Sequence, residues 1–122
     1  MATQVLVVDD SASARHRVAE VLAREGITVH EAESGPEGLA LLRKKSYALV
    51  LVDFNMPGMT GIGMVKAMRA LAGYERTPVF MVTTEFDRTL MDKGEKAGVT
   101  LWVLKPFKEQ QLRDAVCKAL GA

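Results

Sequence analysis

Val5-Leu6-Val7-Val8-Asp9-Asp10 decides the reading of this chain: four aliphatic residues in a row, three of them β-branched, stop at two carboxylates. A strand with one face in water alternates apolar and polar residues. A strand buried on both faces, as parallel strands covered by helices are, is apolar throughout. The same form recurs three times. Leu49-Val50-Leu51-Val52 ends at Asp53, Val79-Phe80-Met81-Val82 at Thr83, and Trp102-Val103-Leu104 at Lys105-Pro106. Neighbouring parallel strands bring their carboxyl ends to one edge, where open α/β sheets hold their ligands. Three carboxylates, a hydroxyl and an ammonium then converge there, a set suited to a divalent cation and a phosphoryl group.

Helical periodicity fills the intervals between these runs, and the alternation predicts βαβ units with right-handed crossovers. Ser11 or Ser13 caps a first helix that turns Ala14, Val18, Val21 and Leu22 inward and ends near Gly26. Ile27-Thr28-Val29-His30-Glu31 alternates and is more polar, which places a second strand at a sheet edge. Ser34-Gly35-Pro36 opens a second helix carrying Leu39, Leu41 and Leu42, with Pro in its first turn. After the turn-forming segment 54–61, Thr60 caps a third helix with Ile62, Val65, Met68 and Leu71 inward. A fourth helix, at about 86–97, is weak. Leu90, Met91 and Ala97 are nearly its whole apolar line, and an interior Gly94 costs roughly 1 kcal/mol against Ala. A fifth strand at 99–104 precedes a last helix, from Lys108 onward, that buries Leu112, Ala115, Val116 and Leu120.

The length of 122 residues suits one domain, 1–122. Sixteen basic and 15 acidic residues leave a net charge of +1, too little for a bulk field toward nucleic acid or an anionic membrane. Met1-Ala2-Thr3-Gln4 has no basic segment, and the apolar run after it is too short for a signal peptide or a membrane span. A cytoplasmic monomer without membrane insertion is expected. Cys117 is alone, so no intrachain disulfide can form, and its place in an apolar helical stripe suggests a buried thiol. His16 and His30 read as surface groups, with no second ligand at metal spacing.

Each reactive residue taken singly has an ordinary reading. An Asp after a strand often caps the next helix, Thr is at home in strands, and a lysine at a strand end is usually solvated. Their conjunction changes that. Two ionised carboxylates about 4 Å apart repel by roughly 4 kcal/mol at an effective dielectric near 20, so three at one edge call for a compensating cation. Mg2+ meets that need with carboxylate, water and phosphate oxygens. Asp53, ahead of a Pro-Gly loop, is placed as a carboxylate nucleophile, and proximity to Mg2+ and Lys105 keeps it ionised. Pro106 disfavours helix at Lys105 and aims the ammonium over the edge.

These residues, in this order and spacing, resemble the receiver domain of bacterial two-component response regulators, particularly the single-domain chemotaxis and phosphorelay type. The resemblance rests on Asp9-Asp10-Ser11, the segment 53–61, Thr83 and Lys105-Pro106-Phe107, and it extends over essentially the whole chain. It implies a flavodoxin-like (βα)5 doubly wound sandwich, with a five-stranded parallel sheet in the order 2-1-3-4-5. It implies that Asp53 is the phosphoacceptor, with the phosphoryl group supplied by a histidine kinase or histidine phosphotransfer protein. Asp10, Asp53 and the Asn55 backbone carbonyl would bind Mg2+ directly, and Asp9 through water. Lys105 would pair with phosphoryl oxygens and Thr83 would hydrogen-bond one of them. Arg15, Arg17 and the first helix are expected to dock the phosphodonor, while a downstream protein binds the face made by the fourth helix, fifth strand and fifth helix. Such a chain catalyses only its own aspartyl phosphorylation and dephosphorylation.

Two positions depart from the usual pattern. Trp102 stands where Tyr or Phe is usual at the switch, and Thr84 stands where a smaller residue is common. Asn55 and Glu85, which bear on phosphate lifetime, match chemotaxis receivers with short-lived phosphates. A flavodoxin-type FMN protein would need a hydroxyl- and glycine-rich phosphate loop where Asp9-Asp10 stands. A Mg2+ phosphatase with an Asp nucleophile would carry it on the first strand. The alternative nearest to the receiver reading is a receiver-like adaptor that binds partners without phosphorylation, but that would lack an acidic or lysine residue this chain retains.

Overall fold

The computed structural model describes residues 3–85 and 87–121. Strands and helices alternate as β1 (Gln4–Val8), α1 (Ala12–Ala23), β2 (Thr28–Ala32), α2 (Gly35–Lys44), β3 (Leu49–Val52), α3 (Gly61–Arg69), β4 (Val79–Thr83), α4 (Arg88–Ala97), β5 (Leu101–Leu104) and α5 (Glu109–Ala119). All strand pairs are parallel and the sheet order is β2-β1-β3-β4-β5. This is the flavodoxin-like architecture predicted, with the polar second strand at one edge. No described helix is long and apolar enough to cross a membrane.

The apolar runs are continuous because both sheet faces are covered. Leu6, Val8, Val50, Val52, Val79 and Met81 pack on one side with residues of α2 and α3. Val5, Val7, Leu49, Leu51, Phe80, Val82 and Val103 pack on the other with residues of α1 and α5. Every residue of β3 and β4 is buried. At roughly 1.5–3 kcal/mol per large side chain taken fully out of water, this layer dominates the folding energy. It also makes register unambiguous: a slip by one residue would exchange the two faces of a strand.

Side-chain caps start four helices. Ser11, Ser34, Thr60 and Asp87 accept the backbone N–H of Ala14, Glu37, Gly63 and Leu90. Of the two serines offered by the sequence, Ser11 is the one at the cap. Leu71 lies beyond the end of α3, though it still packs on the core. The predicted start of the fourth helix at Phe86 lies outside the described residues, and α4 begins at Arg88. As its sparse apolar line suggests, α4 buries only Gly94 and Ala97 fully. Cys117 is half-buried rather than enclosed, because Leu112 and Val116, four residues apart, form the buried line of α5 and Cys117 lies one position round the helix from it.

Candidate functional site at the carboxyl edge of the sheet

Register carries the reactive residues to one place. Val8 of β1 pairs with Val52 of β3, so Asp9 and Asp53 leave the sheet side by side. The Asp53 N–H donates to the Val8 carbonyl at 3.0 Å, extending the ladder into the site. Thr83 of β4 pairs with Leu104 of β5, and the Lys105 N–H donates to the Thr83 carbonyl at 2.9 Å. The Lys105-Pro106 peptide bond is cis.

Asp9, Asp10 and Asp53 form a group whose carboxylate oxygens lie within 4.8 Å of one another, Asp9 and Asp53 buried and Asp10 exposed. This is a set of hard oxygen donors with one member open to solvent, and it fits a divalent cation that keeps part of its water shell. Lys105 closes the site from the other side, with Nζ 2.8 Å from Asp9 Oδ2 and 3.7 Å from Asp53 Oδ2. The remaining Asp9 oxygen accepts the Ser11 N–H at 2.9 Å. The ordinary turn-forming use of an Asp after a strand is therefore present alongside the ion pair.

Lys105 lies closer to Asp9 than to Asp53, so its ammonium is shared between the two carboxylates. Burial raises the Asp53 pKa, and the Asp9 charge pushes it the same way. Lys105, the Thr83 hydroxyl and an Asn55 backbone hydrogen bond pull it back without cancelling the rise.

Thr83 is fully buried, and its hydroxyl accepts the Glu85 N–H at 3.1 Å. Asn55 and Glu85, from the loops after β3 and β4, meet across the mouth of the site, where Asn55 Nδ2 donates to Glu85 Oε1 at 3.0 Å. Thr84 is exposed, and Trp102 is half-buried against the α2, α3 and α4 side of the core. Gly61 seats the loop that follows Asp53. A Cβ there would fall 2.5 Å from the Asp53 carbonyl oxygen and 2.7 Å from Met81 Sδ, so α3 can start this close only with glycine.

Side chains from α1 and β2 shape the surroundings. Arg15, expected to be a docking group, is largely covered. Its Nη1 donates to the Asp9 carbonyl at 2.7 Å and its Nε to Glu31 Oε1 at 3.0 Å, so it braces the β1 exit. His16 joins the same Glu31 oxygen at 2.8 Å while remaining largely exposed. Arg17 stays accessible, its guanidinium 5.8 Å from the Phe107 ring centre. His30 is not a plain surface group: its Nδ1 shares a 2.6 Å hydrogen bond with the Tyr47 hydroxyl. A guanidinium ahead of a strand partner's acid, as in Arg15 and Glu31, is visible in sequence only once the β1–β2 pairing is known.

The comparisons agree with this geometry. Residues 5–117 match the response regulator receiver domain family. The chain is 42% identical over 120 residues to a chemotaxis protein CheY homolog of Campylobacter jejuni, covering 97% of this chain and 92% of that one. It is 36% identical to the chemotaxis protein CheY of Pseudomonas aeruginosa over 94% of each chain. Its fold superposes on Vibrio cholerae chemotaxis protein CheY4 with a TM-score of 0.94 at 37% identity, over 98% of this chain and 99% of that one. With sheet order, acidic cluster and strand-end lysine all in the positions described, this chain belongs to the response regulator receiver domain family.

Proposed function

We propose that this chain acts as a signalling receiver domain in which Asp53 accepts a phosphoryl group from the phosphohistidine of a histidine kinase or histidine phosphotransfer protein. The observation that carries this reading is the buried Asp53 carboxylate flanked by Asp9, Asp10 and Lys105. An Asp53 oxygen attacks phosphorus, the P–N bond to the donor imidazole breaks, and the leaving nitrogen keeps the electron pair. Such transfers have loose transition states, so alignment and positive charge do most of the catalysis. Asp10, Asp53 and the Asn55 backbone carbonyl would hold Mg2+, with Asp9 reaching it through water, and the ion would supply positive charge beside the phosphoryl group. Lys105 swings from Asp9 toward those oxygens on the other side, and the Thr83 hydroxyl donates to one of them. No general base is needed, because the nucleophile is a carboxylate.

Bonding at Asp53 favours this chemistry by placing the added charge between the acidic cluster that would hold a cation and the Lys105 ammonium 3.7 Å away. The result is a change in binding at the α4–β5–α5 face, where Leu101 and Leu104 are the exposed large apolar side chains among the described residues. Arg17 and the exposed side of α1 receive the phosphodonor. The chain's similarity to chemotaxis proteins favours a chemotaxis pathway. It catalyses only its own phosphorylation and dephosphorylation.

The test is incubation with Mg2+ and acetyl phosphate, followed by intact-mass measurement. An acid-labile phosphoryl adduct is expected in the wild type and not in Asp53→Asn. Absence of the adduct from the wild type would leave the adaptor reading in its place. The Asn55–Glu85 bridge supports a transient signal. Loss of the adduct within minutes is expected, and persistence for hours refutes that part.

A further inference from the structure

A glycine in the middle of a weak helix looks like a defect until its neighbour is considered. A Cβ built on Gly94 would lie 2.5 Å from Cζ2 and 3.3 Å from Cε2 of Trp102, and 3.4 Å from Cγ2 of Val99. Real Cβ atoms do not approach that closely, so the space an alanine methyl would take in α4 is already filled by the indole of β5. Trp102 is also the only tryptophan of the chain.

One turn further along, α4 is fixed. Gly98, at φ +108°, caps the helix with its N–H to the Gly94 and Glu95 carbonyls, and the Val99 N–H also returns to the Gly94 carbonyl. The Gly98 carbonyl accepts Arg69 Nη2 at 2.6 Å, and a Cβ on Gly98 would lie 2.6 Å from Arg69 Nε. At the other end Arg88 and Thr89 are exposed, while Leu90 and Met91 are only half-buried. The helix is therefore held at its C-terminal end and loosely covered at its start. At 1.5 Å of rise per residue, Gly94 stands about 6 Å from the clamp and Arg88 about 15 Å, so a tilt moves Gly94 by roughly 0.4 of the displacement at Arg88.

We propose that Gly94 is a positioning residue for Trp102: its missing side chain is the seat of the indole, and α4 cannot tilt about its Gly98–Arg69 anchor without unseating that ring. The seat makes the ring position and the helix angle one variable. The seat itself stands independently of phosphorylation, but its role in signalling rests on the reading of Asp53 as phosphoacceptor.

The experiment compares Gly94→Ala in the wild-type and Trp102→Phe backgrounds. With Trp102 present, Gly94→Ala lowers the urea unfolding midpoint, moves tryptophan emission to longer wavelength and increases quenching by acrylamide. In the Trp102→Phe background the same substitution raises the midpoint, because the smaller ring vacates the seat and alanine is the better helix former. This reversal of sign survives even if the single Gly94→Ala variant is too unstable for spectroscopy. Equal effects of Gly94→Ala in both backgrounds, or unchanged emission in a folded Gly94→Ala protein, overturn the proposal.

A second arm adds beryllofluoride and Mg2+, with adduct formation at Asp53 followed separately by fluorine NMR. An adduct that shifts wild-type emission but leaves Gly94→Ala emission where it was supports the coupling. An adduct with the same emission response in both proteins refutes it. Failure to form any adduct counts against the phosphoacceptor reading and leaves the sign reversal to decide the seat.

Discussion

Replacing Arg69 by Met tests whether one guanidinium ties the lower end of α3 to α4. Its Nη1 donates to the carbonyls of Tyr74 at 2.8 Å and Thr77 at 2.6 Å, and its Nη2 to that of Gly98 at 2.6 Å. No carboxylate balances the charge among the described residues, and burial lowers its pKa from the ordinary arginine value. Hydrogen bonds to a charged group contribute about 1.5–3 kcal/mol each, so three supply roughly 4.5–9 kcal/mol before desolvation of the guanidinium offsets several of these. A net loss of about 2–4 kcal/mol is expected for Arg69→Met, which keeps most of the aliphatic stem. With an m-value of roughly 2 kcal/mol/M, the urea midpoint falls by about 1–2 M. Because the acceptors are neutral carbonyls, the loss should be the same at low salt and at about 0.5 M, unlike that of an ion pair. A loss below about 1 kcal/mol, or one that shrinks with added salt, would refute the clamp.

Two further outcomes follow from the acidic edge. The Asp53 pKa is raised above 3.8 in the folded state, so the folded protein holds that proton more tightly than the unfolded one. Stability linked to Asp53 is complete below 3.8 and is lost as pH rises through the folded pKa. Asp53→Asn should therefore raise the melting temperature in metal-free buffer at pH 7, with the gain shrinking as pH approaches 4; a lower melting temperature at pH 7 contradicts the burial argument. Mg2+ at about ten times its Kd should stabilise the wild type by about 1.4 kcal/mol, and Asp10→Asn should remove most of that effect. In metal-free buffer Asp10→Asn should raise the melting temperature by relieving repulsion among the three carboxylates, and calorimetry with and without EDTA reads both effects.

What could be foreseen here follows from period and position. Apolar runs gave the strands, the polar second run gave the sheet edge, and the residues at the strand ends gave Asp9, Asp10, Asp53, Thr83 and Lys105. These are local signals. Contacts that depend on two distant segments meeting were not legible in that way. Arg15 looked like an exposed docking group because nothing in its own helix shows that Glu31 and the Asp9 carbonyl lie opposite. Gly94 looked like a weakness because its reason is a ring on another strand. The preference of Lys105 for Asp9 over Asp53 depends on differences of less than 1 Å, 2.8 against 3.7 Å, which no spacing rule resolves.

The glycine at the head of α3 bears on which sequences can keep this edge in working order. Gly61 admits no extra carbon because the Asp53 carbonyl and the Met81 thioether already fill that volume, and Gly35 and Gly38 are crowded in the same way by Met59 and Met64. Methionine chains bend and refill space readily, whereas the backbone oxygen of Asp53 cannot move without carrying that residue along. Substitution tolerance around the loop after Asp53 therefore runs against intuition: the bulky thioethers packed on these glycines can be replaced by other flexible apolar chains, while the smallest residue there is the one that must stay.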